Sequence, residues 1–318
     1  MLIQKPPVVL GGDVWMLGTA AYPLYLLRGR HEGAIVEGGI SALGPLLERQ
    51  LEALGAGPQY VRQAIITHAH PDHVMAIPLL RAMFPGLTVA ASAAAAATLT
   101  LEKAVNAFRQ IDGALTEALL RSGAITEAPK GTVPVSSDET RDSPPPPADN
   151  RIAVDRVLRE GDLIAVEERR WAVLETPGHS DCSISLHEPE RGVLLISDAT
   201  GYYLPESGTW WPNYFAGYAA YLRSMERLAA LDSEILGLSH NAAVLGRADV
   251  RAYFAGAIAA TQDYHQRIVA ETKAGKTVRQ IAEELGAEIH RQAPILPLDF
   301  FQKNCGGLVK QSLKHEGL

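Results

Sequence analysis

Three histidines and one aspartate fall within six residues in the segment Thr67-His68-Ala69-His70-Pro71-Asp72-His73. The segment follows an apolar, β-branched run that is typical of a buried strand. In an extended chain, side chains two residues apart point the same way, so His68 and His70 can converge on one ion. Pro71 suits the first turn of a helix, which would turn Asp72 and His73 toward a neighbouring point. The spacing therefore predicts a loop that supplies ligands to two metal sites.

Three more candidate ligands follow later strands. His179 comes after the predicted strand Trp171–Thr176, Asp198 ends the apolar run Val193–Ser197, and His240 follows Ile235–Leu238. The carboxylate of Asp198 has two oxygens and can bridge two cations. All seven candidates carry imidazole or carboxylate groups, which suit zinc and also iron or manganese. We therefore expect two divalent metal ions.

The order H-x-H-x-D-H, then G-H, then D, then H resembles the metallo-β-lactamase superfamily at every ligand position. The resemblance covers roughly residues 8–247. It implies a four-layer αββα sandwich of the α/β (α+β) class. It also implies one metal on His68, His70 and His179, a second on Asp72, His73 and His240, and Asp198 as the bridge.

The rest of the chain is consistent with two sheets that helices cover. Apolar residues recur at helical spacing within residues 98–122, and the stretch 129–150 is rich in Pro, Ser and charge. We predict a metallo-β-lactamase domain over residues 1–247, with a helical insert and Pro-rich loop at about 98–150. A C-terminal helical extension over residues 248–318 is expected to pack near the active site. Ser92 is a candidate N-cap, and Thr277 with Gln280 fits a capping box.

A narrower resemblance rests on the turn Val36-Glu37-Gly38-Gly39-Ile40-Ser41, which replaces the D-x-G turn common in the superfamily. It also uses Ile66-Thr67-His68, Gly178-His179-Ser180-Asp181, Ala220-Tyr221-Leu222, Ser224-Met225-Glu226-Arg227-Leu228 and Leu298-Asp299-Phe300. These segments are similar to the PqsE-type branch, which contains the 2-aminobenzoylacetyl-CoA thioesterase of alkylquinolone signalling. One departure is Leu238-Ser239-His240-Asn241, where the usual pattern is P-G-H-G, and this alters the loop beside the second metal.

The resemblance implies a thioesterase that cleaves an acyl-CoA-type thioester through a metal-bound hydroxide, with Asp72 as the catalytic proton shuttle. Five aromatic side chains are candidates for binding the acyl group, although the same cluster could pack a loop onto the core: Tyr202, Tyr203, Trp210, Trp211 and Phe215. One alternative is a lactonase or carboxylic ester hydrolase of the acyl homoserine lactone type. Another is a metal-binding regulatory protein whose helical tail contacts partners or forms a homodimer.

Composition narrows the classes of partner. Of the 318 residues 47% are hydrophobic, and the net charge is -7, so no basic face is expected and nucleic acid is not an expected partner. With two cysteines and no apparent signal peptide or long apolar run, we expect a soluble cytoplasmic protein without a membrane partner. The remaining histidines have no clustered partners in the sequence and receive no role: His31, His187, His265, His290 and His315.

Overall fold

The computed structural model describes residues 1–129 and 151–318. Most of the predicted Pro-rich loop therefore lies outside the described residues. The Cα positions form two compact units. We call them the N-terminal unit (Lys5–Trp171) and the C-terminal unit (Met1–Gln4 with Ala172–Leu318). The predicted domain boundary at residue 247 stays a prediction.

The strands are short and are numbered in chain order. They are β1 (Leu2–Ile3), β2 (Val8–Gly11), β3 (Val14–Gly18), β4 (Pro23–Arg28), β5 (Gly33–Val36), β6 (Val61–Ile65), β7 (Thr88–Ser92), β8 (Arg156–Leu158), β9 (Leu163–Val166), β10 (Arg169–Glu175), β11 (Ile184–Glu188), β12 (Val193–Leu195), β13 (Tyr202–Leu204), β14 (Thr209–Trp211), β15 (Ile235–Gly237) and β16 (Ala243–Leu245).

The sheet of the N-terminal unit has the order β2-β3-β4-β5-β6-β7-β8. Strands β2 to β5 pair antiparallel through short turns. Strands β5 to β8 pair parallel, because helices make their connections. The carboxyl ends of parallel neighbours lie at the same edge of a sheet, so the loops after β5 and β6 leave the sheet side by side. These loops begin with Glu37 and Ile66.

The second sheet has the order β1-β16-β15-β12-β11-β10-β9. Within the C-terminal unit β12 pairs parallel with β15, and Leu195 lies opposite Gly237. The chain therefore leaves both strands at one edge, and Asp198 and His240 follow within three residues of the strand ends. Strands β13 and β14 form a separate hairpin in the same unit.

The helices are α1 (Gly44–Ala53), α2 (Ile77–Met83), α3 (Ala93–Leu99), α4 (Glu102–Ser122), α5 (Tyr218–Ala229), α6 (Arg247–Lys273), α7 (Val278–Gln292) and α8 (Leu298–Glu316). Ser92 caps α3 by accepting a hydrogen bond from the Ala95 amide, and Thr277 with Gln280 forms the predicted capping box of α7. Within residues 1–129 and 151–318, none of the helices has both the length and the apolar character needed to cross a membrane. The predicted class, with two sheets, helices and a C-terminal helical part, is confirmed.

The two cysteines differ in accessibility. Cys305 on α8 is fully buried, whereas Cys182 is partly exposed. Burial raises the pKa of the Cys305 thiol to about 12, so its reactive thiolate form is scarce. We expect a thiol reagent such as DTNB to modify one thiol per native chain at mildly alkaline pH, and two per chain in denaturant. In Cys182→Ser the native signal should disappear; rapid native labelling of that variant would contradict the buried placement of Cys305.

Candidate metal centre

In the N-terminal unit, the loop after β6 brings three histidine rings together. His70 has an extended backbone (φ -113°, ψ 157°), so its side chain points the same way as that of His68. The His68 Nε2 and His70 Nδ1 atoms are 3.0 Å apart. A 3-10 helix, Pro71–His73, then turns the chain, and the rings of His68 and His73 lie 4.1 Å apart between centroids. The predicted convergence within this loop is present in the structure.

Asp72 and His73 form the other part of this cluster. The His73 Nε2 atom lies 3.5 Å from Asp72 Oδ2. The His73 side chain is 2% exposed and that of Asp72 is 22% exposed, so solvent reaches the aspartate but not the histidine. Asp72 is therefore the more accessible member of the pair.

Glu37 supports this cluster, a role that the reasoning from sequence missed. Its buried carboxylate accepts a hydrogen bond from the Thr67 hydroxyl and lies 2.7 Å from His73 Nδ1. With the ring proton assigned to Nδ1, His73 donates to Glu37, and its Nε2 lone pair is directed away from Glu37. Glu37 also adopts a left-handed backbone (φ 80°), which non-glycine residues rarely do, so the surrounding structure must hold it there. The one available signal was a buried-strand end followed by an acid and two glycines.

Loss of the Glu37 charge is expected to weaken metal binding at His73. For Glu37→Gln we expect metal affinity to fall about 10–100-fold, the usual effect of removing a carboxylate that orients a ligating histidine. Isothermal titration of metal-free protein with zinc would measure it. The matched control is Glu52→Gln on the exposed side of α1, which should bind as the unmodified chain does. Equal affinities for the two variants would contradict the role of Glu37.

In the C-terminal unit, Asp198 faces two histidines with its two oxygens. Oδ2 lies 3.3 Å from His179 Nε2, and Oδ1 lies 3.4 Å from His240 Nε2. The Ser239 hydroxyl donates to Oδ1 and holds the carboxylate in place. Asp198 is only 5% exposed, so burying its charge requires compensation by cations or strong donors. A carboxylate with this geometry can bridge two cations.

The local chain positions His179 through a tight turn. Gly178 has φ 131°, and its amide and carbonyl groups make backbone hydrogen bonds to Ser180, Ala216 and Gly217. The His179 Nδ1 atom lies 2.9 Å from the Asn213 carbonyl oxygen, to which it donates when it carries the ring proton. The Nε2 lone pair then faces the Asp198 carboxylate, an arrangement that favours a cation between them.

The pair distances are those of ligands around a shared ion. Two ligands at tetrahedral positions about 2.1 Å from zinc are about 3.4 Å apart. The four pairs described above, at 3.0, 3.5, 3.3 and 3.4 Å, lie near this value. The histidine and aspartate clusters therefore indicate binding of divalent metal.

Four of the five aromatic candidates divide between the two faces of the β13–β14 hairpin. Tyr202 is paired with Trp211 and Tyr203 with Trp210, so each pair shares a face. The Tyr202 ring lies 4.8 Å from that of His240. The Trp211 ring contacts Phe301 of α8 at 5.4 Å.

The other face of the hairpin packs into the core. The rings of Tyr203 and Trp210 lie 4.7 Å apart, and both contact Tyr253 of α6. Phe215, outside the hairpin, has its ring 5.5 Å from that of His179. Of the five candidates, Tyr202 and Phe215 thus contact candidate metal ligands, whereas Tyr203 and Trp210 contact the helical core.

Comparison with known proteins defines the class. Residues 22–240 match the family model described as the metallo-β-lactamase superfamily, and the chain belongs to this superfamily. Most of its members are metal-dependent hydrolases. The predicted superfamily is thereby confirmed.

Among individual proteins, the chain is similar to the acyl-coenzyme A thioesterase MBLAC2 of Gallus gallus, with 36% identity over 76 residues. This match spans 24% of the chain and 26% of the relative. A metallo-β-lactamase family protein from Thermus thermophilus is 25% identical over 97% of this chain and 95% of its own, with a TM-score of 0.63. A Cronobacter sakazakii metallo-β-lactamase with a mutated HARLDQ motif shares the fold at 21% identity, covering 86% and 100% of the two chains, with a TM-score of 0.58.

Proposed function

We propose that this protein is a binuclear metal-dependent hydrolase that cleaves acyl-CoA-type thioesters. Asp198 carries the binuclear part of the proposal, because each of its oxygens faces a different histidine. A carboxylate that served a single ion would not need both oxygens directed at separate imidazoles. Superfamily membership supports hydrolysis, and the partial similarity to an acyl-CoA thioesterase supports the thioester substrate.

The proposed centre divides seven ligands between two ions. One ion would be held by His68, His70 and His179, the other by Asp72, His73 and His240, with Asp198 between them. Superfamily membership supports this division, and so does the close spacing of the ligand pairs within each unit. The donor set suits zinc, with iron or manganese as alternatives that metal analysis would distinguish.

The two ions would supply a nucleophilic water at neutral pH and polarise the thioester carbonyl. Asp72, with its partly exposed carboxylate, would take the proton of that water and return it to the leaving thiolate. Glu37 would keep the His73 ring aligned through its Nδ1 contact. Ser239 would do the same for Asp198.

Apolar side chains beside the ligands support an acyl substrate. Phe215 contacts His179 and Tyr202 contacts His240, so aromatic rings border the candidate ligands within the C-terminal unit. Such surfaces favour an aromatic or aliphatic acyl group over a polyanion, which the net charge of -7 also disfavours.

The test is release of free CoA from a panel of aliphatic and aromatic acyl-CoA thioesters by zinc-loaded protein. Turnover should fall at least about 10²-fold in Asp72→Asn, because the proton-transferring group is lost. Asp263→Asn on the exposed side of α6 is the matched control and should keep full turnover.

Acyl homoserine lactones, followed by proton release, form the second arm of this test. Lactone turnover without CoA release would overturn the thioester assignment but not the hydrolase. No turnover in either arm, with both ions of the proposed centre bound, would overturn the proposed function.

A further inference from the structure

A second group of ligand-type side chains lies in the C-terminal unit, where α6 and α8 approach each other. It consists of His265 of α6 with His315 and Glu316 of α8, and one potential ligand atom from each lies within 4.8 Å of the others. Neither histidine had a predicted role, because the two are far apart in the sequence. Folding brings them together, and none of the three belongs to the proposed catalytic centre. We call this group the α6–α8 cluster.

His265 is held rigidly in this cluster. Its ring stacks on that of Tyr218 at the start of α5, with centroids 3.9 Å apart and planes inclined by 17°. The residue is 7% exposed, and its Nε2 atom lies 3.2 Å from Glu316 Oε1. The His315 ring lies 5.4 Å from His265 and 5.0 Å from Tyr218. The imidazole of His265 is therefore ordered before any ligand binds.

Neither tautomer of His265 satisfies both ring nitrogens within the described residues. If the proton is on Nε2, it is donated to Glu316, and the buried Nδ1 has no hydrogen-bond partner. If the proton is on Nδ1, the Nε2 lone pair faces a carboxylate oxygen at 3.2 Å. A cation at Nε2 would turn this second, repulsive arrangement into two coordinate bonds.

We propose that the α6–α8 cluster binds one divalent transition-metal ion, separate from the proposed catalytic centre. Two imidazoles and one carboxylate form a donor set that zinc, nickel and copper accept. The 3.2 Å between His265 Nε2 and Glu316 Oε1 is close to the ligand separation of about 3.4 Å around zinc. Three protein ligands leave one position of a tetrahedral ion for water. Two ligands come from α8 and one comes from α6, so the ion ties these helices together.

The test measures the number of zinc ions bound per chain. Protein without an affinity tag is stripped of metal, reloaded with zinc and then separated from the excess zinc. The chain should bind one ion more than His315→Asn and one more than Glu316→Gln. Both variants change exposed residues, so neither should disturb the fold. His31→Asn, an exposed histidine of the N-terminal unit, is the matched control and should retain the full number. Zinc should also raise the Tm of the Asp198→Asn chain more than that of Asp198→Asn combined with His315→Asn.

The expected difference of one ion does not depend on the catalytic proposal. If the catalytic centre bound fewer ions than proposed, the unmodified chain would still exceed His315→Asn by one. Equal zinc content in the unmodified chain, His315→Asn and Glu316→Gln would overturn the proposal. Loss of the same ion in His31→Asn would also overturn it, because the binding would then be nonspecific.

Discussion

In Asp198→Asn we expect bound metal to be lost and thioester turnover to fall at least about 10³-fold. This loss exceeds the 10–100-fold effect that is usual when only a hydrogen-bond partner of a metal ligand is removed. Both Asp198 oxygens face imidazole nitrogens, at 3.3 and 3.4 Å. An amide places an uncharged NH2 group where one oxygen was, so it cannot serve both positions. Metal content by mass spectrometry and CoA release measure the two losses on the same sample.

Two further variants show how much of the loss of metal and turnover is specific to the Asp198 carboxylate. Ser239→Ala removes only the hydroxyl that donates to Asp198 Oδ1, so its metal affinity should fall by about 10–100-fold and no more. Asp263→Asn, which is exposed on α6, should retain both metal and turnover. Full metal content and turnover in Asp198→Asn would rule out the bridging role.

The variant Gly178→Ala is expected to fold poorly or to lose more than about 4 kcal/mol of stability, as severe backbone clashes do. A Cβ atom at this position would lie 2.2 Å from Tyr221 Cα and 2.3 Å from its backbone nitrogen. Tyr221 belongs to α5, so relief would require a shift of the helix backbone and not a side-chain rotation. The left-handed φ of 131° adds further strain.

Gly208→Ala is the matched control for this substitution. Gly208 also has a positive φ of 64°, but a Cβ there would meet nothing within 4 Å. Its cost should be the conformational one alone, about 1–2 kcal/mol. Urea denaturation of metal-free protein compares the two without any contribution from bound ions. Similar losses of stability for the two variants would show that the positive φ, and not the close approach to Tyr221, determines the cost of an alanine at residue 178.

The predictions of convergent histidine ligands and of helix caps rested on residues that are close together in the sequence. The alternation of His68 and His70, followed by Pro71, predicted convergent ligands, and the loop places their ring nitrogens 3.0 Å apart. The caps at Ser92 and Thr277 are likewise as predicted. In each of these features both interacting residues lie within a few positions of each other, so a short stretch of sequence is enough to predict the interaction.

Three short strands, β13, β14 and β16, were not predicted from the sequence. Strands β13 and β14 have three residues each and lie in an aromatic stretch where no period of two stands out. The hairpin of β13 and β14 nevertheless sets which aromatic rings face His240 and which face α6. Its register decides the roles of those rings, and register is a property of pairing between segments.

In the sequence alone, the residue types and their spacing establish a metal-ligating hydrolase fold. They can do so because ligand chemistry and local geometry depend on residues that are close together in the sequence. Tertiary packing is what makes Glu37 a partner of His73, turns the two oxygens of Asp198 toward separate histidines, and joins His265 to Glu316. These contacts join residues that are distant in sequence. They form only when strand pairing and helix packing bury these groups beside one another, and no local pattern records that outcome.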